Sequence, residues 1–261
     1  FFLIPIVDAL LREQEQGSLD EHGVRAIIIY PMNALANDQM KRMRNLLRNY
    51  PKITFGLYNG NTEHSQEKAL SNYRQNHAKD GAGVQNPLEN ELISRETMQQ
   101  TPPHILITNY SMLEYMLLRP KDDKVFSSAR LRYIVLDEAH IYKGTTGMET
   151  SMLMRRLRAR LKATEHIQYI LTSATLGGKE ANRSIVEFGQ QLCGLPFKEE
   201  NIIRSVDASP VIEERNTYPI AFFGDVANGT LSVNDAFAKY AIPDFALNCN
   251  DNEKLYAFLL H

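Results

Sequence analysis

Two adjacent carboxylates follow an apolar run and are the residues best suited to chemistry in this sequence. The run 131–137 ends in Asp137 and continues as Glu138-Ala139-His140. An aspartate at the end of a buried strand can hold Mg²⁺ on the phosphates of a nucleotide, and an adjacent acid can orient the attacking water. A strand that simply ends at a charged turn would also contain an Asp-Glu pair. We favour the nucleotide site, because this four-residue string occurs by chance in only about one chain of this length in several hundred.

Small polar residues follow the other apolar runs. The candidates are Pro31, Asn33, Ala34 and Gln39 after the run 25–30, Asn59 and Gly60 after 53–58, Thr108, Asn109 and Tyr110 at the end of 104–109, and Ser173, Ala174 and Thr175 after 167–172. Hydroxyl and amide side chains, together with the amides of helix N-termini, can grip a phosphate backbone without reading bases. For Asn59 and Gly60, an ordinary Asn-Gly turn is nearly as good an explanation.

Five apolar runs, separated by helix-length segments, must position these residues. Their continuous Ile, Val and Leu content is typical of parallel strands covered on both faces. Such strands joined by helices predict an α/β, doubly wound, mostly parallel sheet, in which ligands bind at the carboxyl ends of the strands. After the first run, apolar residues at 36, 40, 43, 47 and 50 predict an amphipathic helix. The polar segment 61–103 is interpreted as a helical insertion with a mobile loop.

These motifs, in this order, resemble the superfamily 2 helicases of the DEAD/DEAH-box type. Asp137-Glu138-Ala139-His140 matches the acidic box, and Ser173-Ala174-Thr175 follows it at the family's distance. The segment 30–39 is similar to the family's Pro-Thr-x-x-Leu-x-x-Gln motif, with Met32 in place of the usual Thr. The turn after residue 58 is similar to the family's Thr-Gly turn, with Asn59 replacing Thr. Thr108 lies where the family has a Thr-Pro start to a helix that contacts the strand.

The resemblance implies a RecA-like (P-loop NTPase) sheet and a role for each candidate residue. Asp137 would hold Mg²⁺ of Mg²⁺·ATP through water, and Glu138 would position the hydrolytic water. His140, with Ser173, Ala174 and Thr175, would couple the phosphate state to closure of a second RecA-like domain of the parent chain. Contacts to a DNA or RNA backbone would come from Pro31, Asn33, Ala34, Gln39, Asn59, Gly60, Thr108, Asn109 and Tyr110.

Two elements of that family are missing from the 261 residues. There is no Gly-x-x-x-x-Gly-Lys-Thr/Ser loop and no Gln-x-x-Gly-Arg-x-x-Arg element. The chain starts without Met in an apolar helix pattern at 1–11, and residues 253–261 form a helix pattern without a terminator. We therefore expect a part of a longer protein, with a sheet incomplete at the N-terminus and negligible ATPase activity by itself. Residues 1–205 would form the motor domain, and 206–261, where acidic residues prevail, a linker or the start of another domain.

A basic helix is predicted after residue 143. Thr146 and Glu149 have the spacing of a capping box, which predicts that the helix starts there. Its basic residues are Arg155, Arg156, Arg158, Arg160 and Lys162. They favour a solvated helix with partners on neighbouring elements, and a nucleic-acid or inter-domain contact is the alternative. The acidic box, a Tyr-x-Gly turn and this helix together look most like bacterial DNA helicases of the repair and phage-defence branches.

Composition excludes other classes. The formal charge of −2 shows no basic excess, and two cysteines cannot staple a domain of this size, which predicts a cytoplasmic protein. No stretch reaches the ~20 apolar residues of a membrane helix. We interpret the parent protein as an ATP-dependent helicase or translocase that moves along a nucleic-acid strand, with DNA favoured over RNA. The alternatives are a nucleic-acid-binding scaffold without hydrolysis and a duplex translocase that does not unwind.

Overall fold

A parallel β-sheet is the centre of the structure, a computed structural model that describes residues 2–79, 86–161, 167–175, 178–204 and 220–240. The strands are β1 (Ala26–Tyr30), β2 (Phe55–Tyr58), β3 (Glu91–Leu92), β4 (Ile105–Asn109), β5 (Tyr133–Leu136) and β6 (Gln168–Leu171). The helices are α1 (Leu3–Glu15), α2 (Asn33–Leu47), α3 (Gln66–Lys79), α4 (Arg95–Gln100), α5 (Tyr110–Leu118), α6 (Asp123–Ser127), α7 (Gly144–Leu161), α8 (Asn182–Cys193), α9 (Ile220–Ala227) and α10 (Val233–Lys239).

The six strands are all parallel and lie in the order β3-β2-β4-β1-β5-β6. Their register brings the carboxyl ends into line. Tyr30 at the end of β1 pairs with Asn109 of β4, and Ile29 pairs with Leu136 of β5. The residues that follow β2, β4, β1, β5 and β6 therefore share one edge of the sheet, as the sequence predicts for a ligand site.

Each central strand is buried on both faces. Ile27 and Ile29 of β1 pack into one hydrophobic cluster with side chains of α5, α6, α7 and α8. Ile28 and Tyr30 point the other way, into a second cluster with α1 and α2. This alternation confirms the predicted doubly wound arrangement, since side chains two residues apart share a face of a sheet. The predicted stripe of α2 is also found, because Ala36, Met40, Met43 and Leu47 are buried.

All five predicted strands are present, but a sixth, β3, was not expected. Its two residues pair with β2, and Glu91 is buried. A buried carboxylate needs a partner. Here Arg44 of α2 supplies it, with Nη2 at 2.8 Å from Glu91 Oε1. Since that partner lies 47 residues away, nothing in the local pattern marks β3 as a strand. Helices α3 and α4 lie in the segment 61–103, which was interpreted as a helical insertion, and its Gly81 and Gly83 lie outside the described residues.

Helix α7 begins at Gly144, three residues before Gly147, the first helical residue that a capping box at Thr146 predicts. The amide of Gly147 already donates to Lys143 O at 3.2 Å, which closes the first turn earlier. Thr146 is then inside that first turn, and its carbonyl accepts from Thr150 Oγ1 at 2.8 Å. The prediction of the start was wrong because a backbone bond from the preceding loop closes the helix without Thr146 as its cap.

The chain divides into two compact units, Phe1–Ile202 and Ile203–His261. The second unit contains α9 and α10, where the ring of Phe222 makes edge contacts with the rings of Phe237 and Tyr240. The helix predicted at 253–261 lies outside the described residues. None of the helices in the described ranges is long and apolar enough to cross a membrane.

Candidate active site at the carboxyl edge of the sheet

The acidic box is held at the end of β5 by Thr172, the residue that directly follows β6. The amide of Asp137 donates to Ile29 O at 3.0 Å, which continues the ladder with β1. The Thr172 hydroxyl donates to Asp137 Oδ1 and accepts from the Glu138 amide at 3.2 Å. A single side chain therefore orients the metal-binding candidate and the backbone of the next acid. Thr172 lies one position before the predicted Ser-Ala-Thr motif, and sequence reasoning missed it.

Glu138 is the only residue besides glycine with a positive φ in the described part of the chain, at φ 50° and ψ 47°. This left-handed conformation is disfavoured for a residue with a Cβ and is concentrated at functional sites. Two bonds to Thr172 hold it, one from the Glu138 amide to the hydroxyl and one from the Ala139 amide to Thr172 O at 2.7 Å. The turn follows Leu136, the last residue of β5, and leads directly into the short helical turn Ala139–Ile141.

The structure brings His140 between the acidic box and the motif after β6. His140 Nδ1 lies 3.4 Å from Ser173 Oγ, in hydrogen-bonding geometry, and 3.2 Å from Glu138 Oε2. Glu138 Oε2 is itself buried and has no aligned hydrogen-bond donor within the described ranges. Ser173 Oγ also accepts from the Thr175 amide at 3.2 Å, whereas the side chains of Ala174 and Thr175 face solvent. These contacts form a physical link between the two motifs.

Two buried tyrosines, Tyr30 and Tyr142, lie near Asp137. In the sequence they belong to the segment 30–39 and to the Tyr-x-Gly turn, and neither was assigned to the site of the acidic box. Burial and the nearby Asp137 carboxylate raise the pKa of Tyr30 and of Tyr142 above the ordinary value of 10. Both phenols are therefore neutral donors at physiological pH. The Tyr142 hydroxyl is buried without a hydrogen-bond partner among the described residues. It is an available donor on the inner side of the acidic box.

The donor set suits a metal ion that arrives with its ligand. Within the described ranges, no group of three or more His, Cys, Asp or Glu side chains could hold an ion by itself. Mg²⁺ on a nucleotide needs less, because waters and phosphate oxygens fill most of its six positions. A half-buried Asp137 oriented by Thr172 fits that role, and the orphaned oxygen of Glu138 marks where a water would find an acceptor.

The turn after β2 is closed by its own side chains. Asn59 is buried, and its Oδ1 accepts from the Asn61 amide at 2.9 Å and lies 3.2 Å from Thr62 Oγ1. The Thr62 hydroxyl donates to Leu57 O at 2.8 Å. The Asn59 side chain thus shapes the turn from inside, and Gly60 and Asn61 are exposed at its tip.

The residues at the end of β4 share structural tasks. Thr108 is fully buried, and its hydroxyl donates to Tyr58 O at 2.7 Å, which ties the end of β4 to the turn after β2. Asn109 caps α5 by accepting from the Met112 amide at 2.7 Å. The Tyr110 hydroxyl donates to Glu149 of α7 at 3.3 Å, and burial and the carboxylates of Glu114 and Glu149 raise its pKa to about 12. Of these three, Asn109 and Tyr110 are partly exposed at the sheet edge.

The segment after β1 leads into the N-terminus of α2. Met32 occupies the N-cap position in an extended conformation and makes no side-chain cap bond, and its side chain is 60% exposed. A Thr in that place could cap the helix, so the replacement leaves the first amides of α2 without a side-chain partner. Pro31 and Gln39 are partly buried, and the side chains of Asn33 and Ala34 lie outside the described part.

The arginines of α7 have partners within the fold. Arg156 pairs with Glu114 of α5, Arg160 pairs with Asp123 of α6, and Arg158 Nη1 donates to Gly194 O at 3.2 Å. Arg155 bonds Ser151 one turn earlier on the same helix. Arg156, Arg158 and Arg160 therefore have partners on neighbouring elements, as the favoured interpretation of this helix expects, and Lys162 lies outside the described residues.

Comparison with known proteins identifies the family to which this site belongs. The family profile "DEAD/DEAH box helicase" matches residues 1–80 and 82–184, which include every motif described above. The chain belongs to the DEAD/DEAH box helicase family. The predicted resemblance is thereby confirmed.

Two curated relatives and one solved structure are similar to this DEAD/DEAH box chain. The Druantia protein DruE of Escherichia coli (strain UMEA 4076-1) is 29% identical over 98% of this chain and 18% of its own length. The uncharacterized ATP-dependent helicase YprA of Bacillus subtilis (strain 168) is 28% identical over 67% of the chain and 19% of its own length. The crystal structure of the DUF1998 helicase MrfA matches 75% of this chain and 24% of its own, with a TM-score of 0.50 and 23% identity, and shows the same fold. The chain thus spans about a fifth of the length of these curated relatives.

Proposed function

We propose that the protein containing this chain is an ATP-dependent nucleic-acid helicase or translocase, that its track is DNA, and that the chain supplies its first motor domain. The observation that carries the proposal is the shared edge of the sheet. There the acidic box and Ser173 adjoin strand ends that present Gly60, Asn109 and the start of α2. The resemblance to bacterial DNA helicases favours DNA over RNA.

On the nucleotide side, each residue has a task set by its contacts. Asp137, oriented by Thr172, would hold Mg²⁺ of the bound nucleotide through water, and the metal would neutralise charge on the phosphates. Glu138 would accept a hydrogen bond from the hydrolytic water and hold it in line with the γ-phosphate. The left-handed backbone conformation of Glu138 fixes the direction of its Cα–Cβ bond, which restricts the positions that the carboxylate can reach.

On the coupling side, His140 would transmit the state of the phosphates. A change at Glu138 Oε2 alters the charge 3.2 Å from the imidazole, and the imidazole in turn contacts Ser173. Ser173 holds the Thr175 amide, so a change at His140 reaches the loop after β6. The nucleic-acid backbone would be held by Gly60, Asn109, Tyr110 and the N-terminus of α2. Closure of this domain against a second RecA-like domain would then move the nucleic-acid strand.

Residues 1–205 are assigned to the motor domain and 206–261 to a linker or a further domain. A reducing cytoplasm is the proposed compartment, and the free, buried thiol of Cys193 agrees with it. Because the 261 residues contain neither a Gly-Lys-Thr/Ser loop nor an arginine-finger element, we expect the isolated chain to hydrolyse ATP negligibly.

The test is ATP hydrolysis by the full-length protein with single-stranded DNA, with single-stranded RNA and without either. We expect stimulation by DNA, and a loss of at least about 100-fold in Glu138→Gln, since that substitution removes the base near the water. Glu187→Gln is the matched control, because Glu187 is an exposed carboxylate on α8 paired with Arg183. Stimulation by RNA alone would reassign the track, and no hydrolysis under any condition would favour a scaffold. Strand displacement on a tailed duplex, compared with triplex displacement, separates unwinding from translocation on duplex.

A further inference from the structure

Arg95, a residue outside every recognised motif, holds the turn after β2 from behind. It is the first residue of α4, and Ser94 caps the N-terminus of that helix. The Arg95 amide donates to Glu63 O at 2.9 Å, which joins the start of α4 to the chain that follows the turn. Its Nη2 donates to Asn59 O at 2.9 Å and to Gly60 O at 3.1 Å. Its guanidinium carbon lies 5.6 Å from the centre of the Tyr58 ring.

The surface on which Arg95 stacks is itself immobilised. The Tyr58 hydroxyl donates to Asp122 Oδ1 at 2.6 Å and accepts from Gln99 Nε2 at 3.0 Å. Gln99 lies one turn after Arg95 on α4, so one short helix contacts both the face and the hydroxyl of the ring. Tyr58 and Asp122 are fully buried. Fixing the side chains of Arg95, Tyr58 and Gln99 in this way costs conformational entropy, and a turn that only contacts solvent does not need such a support.

We propose that Arg95 is a positioning residue that orients the Gly60 amide toward a phosphate of the bound strand. The inference rests on the proposed function, since it assigns a task to a residue outside the motifs that define it. In a trans peptide the carbonyl and the following N–H point in opposite directions. Because Arg95 binds Asn59 O, the N–H of Gly60 is directed away from Arg95.

That amide is available. The Asn59 amide donates to Thr62 Oγ1, the Asn61 amide to Asn59 Oδ1, and the Thr62 amide to Asn59 O. The Gly60 N–H has no acceptor among the described residues of the chain. Backbone amides are frequent donors to phosphate oxygens, and they carry no base preference.

The glycine at position 60 is not required by the turn itself. Its φ is not in the left-handed region, and a Cβ built there would meet nothing within 4 Å. Glycine does, however, allow a ligand to approach the backbone closely. An added methyl group would be tolerated by the free protein and would obstruct a phosphate at the amide.

Two substitutions in the full-length protein test the proposal, with dissociation constants for single-stranded DNA as the readout. Arg95→Lys retains the positive charge and removes the two-pronged, stacked geometry. We expect affinity to fall about tenfold, with ATP binding and unstimulated hydrolysis unchanged, since the loss of bonds from a charged donor is of this order. If Arg95 instead contacted phosphate as a simple cation, lysine would replace it, and wild-type affinity in Arg95→Lys would overturn the proposal.

Gly60→Ala is the independent variant, and it does not disturb the support around Tyr58. We expect a comparable loss of affinity with an unchanged unfolding midpoint. Gly224→Ala is the matched control, because a Cβ at that helical position also meets nothing within 4 Å. The double variant of Arg95→Lys and Gly60→Ala should lose less than the product of the two single effects, because both act on one contact. If the two effects are fully independent, Arg95 and Gly60 do not act on the same phosphate contact, and the proposal is refuted. This outcome is separate from the test of the proposed function, because the loss of ATP hydrolysis in Glu138→Gln is measured independently.

Discussion

Removal of the Thr172 hydroxyl should impair hydrolysis although Thr172 belongs to no motif. Thr172→Val keeps the shape of the side chain and deletes both its bond to Asp137 and its bond from the Glu138 amide. A bond to a charged group is worth about 1.5–3 kcal/mol and a neutral one about 0.5–1.5 kcal/mol. Both groups are partly exposed, so water recovers some of this, and about 2 kcal/mol remains. That loss corresponds to about a 30-fold fall in kcat/KM, within the range known for partners of metal ligands.

The assay is steady-state ATP hydrolysis by the full-length protein with saturating DNA, over a series of Mg²⁺ concentrations. The fall should be partly relieved by high Mg²⁺, because the affected carboxylate is the one assigned to the metal. Thr172→Ser is the control, since it keeps the hydroxyl, and it should remain within about threefold of wild type. Wild-type activity in Thr172→Val would refute the reasoning. Equal defects in the valine and serine variants would show that the site requires the methyl group as well as the hydroxyl, so that the two hydrogen bonds alone do not explain the loss.

Two further predictions concern buried titratable groups. Burial, with the nearby Arg25 cation, lowers the pKa of His104 from 6.5 to about 4, so that the unfolded chain alone binds a proton between these values. The contribution of neutral His104 to the free energy of unfolding is complete above about pH 6.5 and is lost as the pH falls toward 4. Between pH 7.5 and 5, the free energy of unfolding should therefore fall by about 2 kcal/mol more in the wild type than in His104→Gln. Urea unfolding of both proteins at both pH values checks this, and an identical pH dependence of the two proteins would contradict it. Burial raises the pKa of the Cys193 thiol to about 12, so in a Cys249→Ser background Cys193 should react with a thiol reagent at pH 8 only after unfolding; rapid labelling of the native protein would show that it is accessible.

The acidic box and most of the sheet follow from local patterns. The apolar run that ends in Asp137 favours a buried parallel strand, because strands covered on both faces carry Ile, Val and Leu without strict alternation. The stripe of α2 likewise depends only on the spacing of Ala36, Met40, Met43 and Leu47. The two-residue β3 was not predictable in this way, since Glu91 is buried only through Arg44.

The roles of the polar residues were harder to foresee. Asn59 and Thr108 are the residue types that contact phosphates, yet their side chains close a turn and join two strand ends. Thr172 and Arg95 belong to no motif, yet they hold the acidic box and the turn after β2. Residue type and position along a strand do not say which way a side chain is turned once neighbouring strands pair.

The sequence by itself determined five of the six strands, the apolar stripe of α2 and the identity of the motif residues, because periodicity, strand composition and motif spacing are properties of residues close together in the chain. Only the tertiary structure decided which polar groups meet. The register of β2, β4, β1, β5 and β6 brings residues 34 to 50 positions apart to within hydrogen-bond distance at one edge. Hydrogen bonds depend on distances of about 3 Å and on direction. Such geometry arises from the packing of the whole sheet, and no local pattern encodes it.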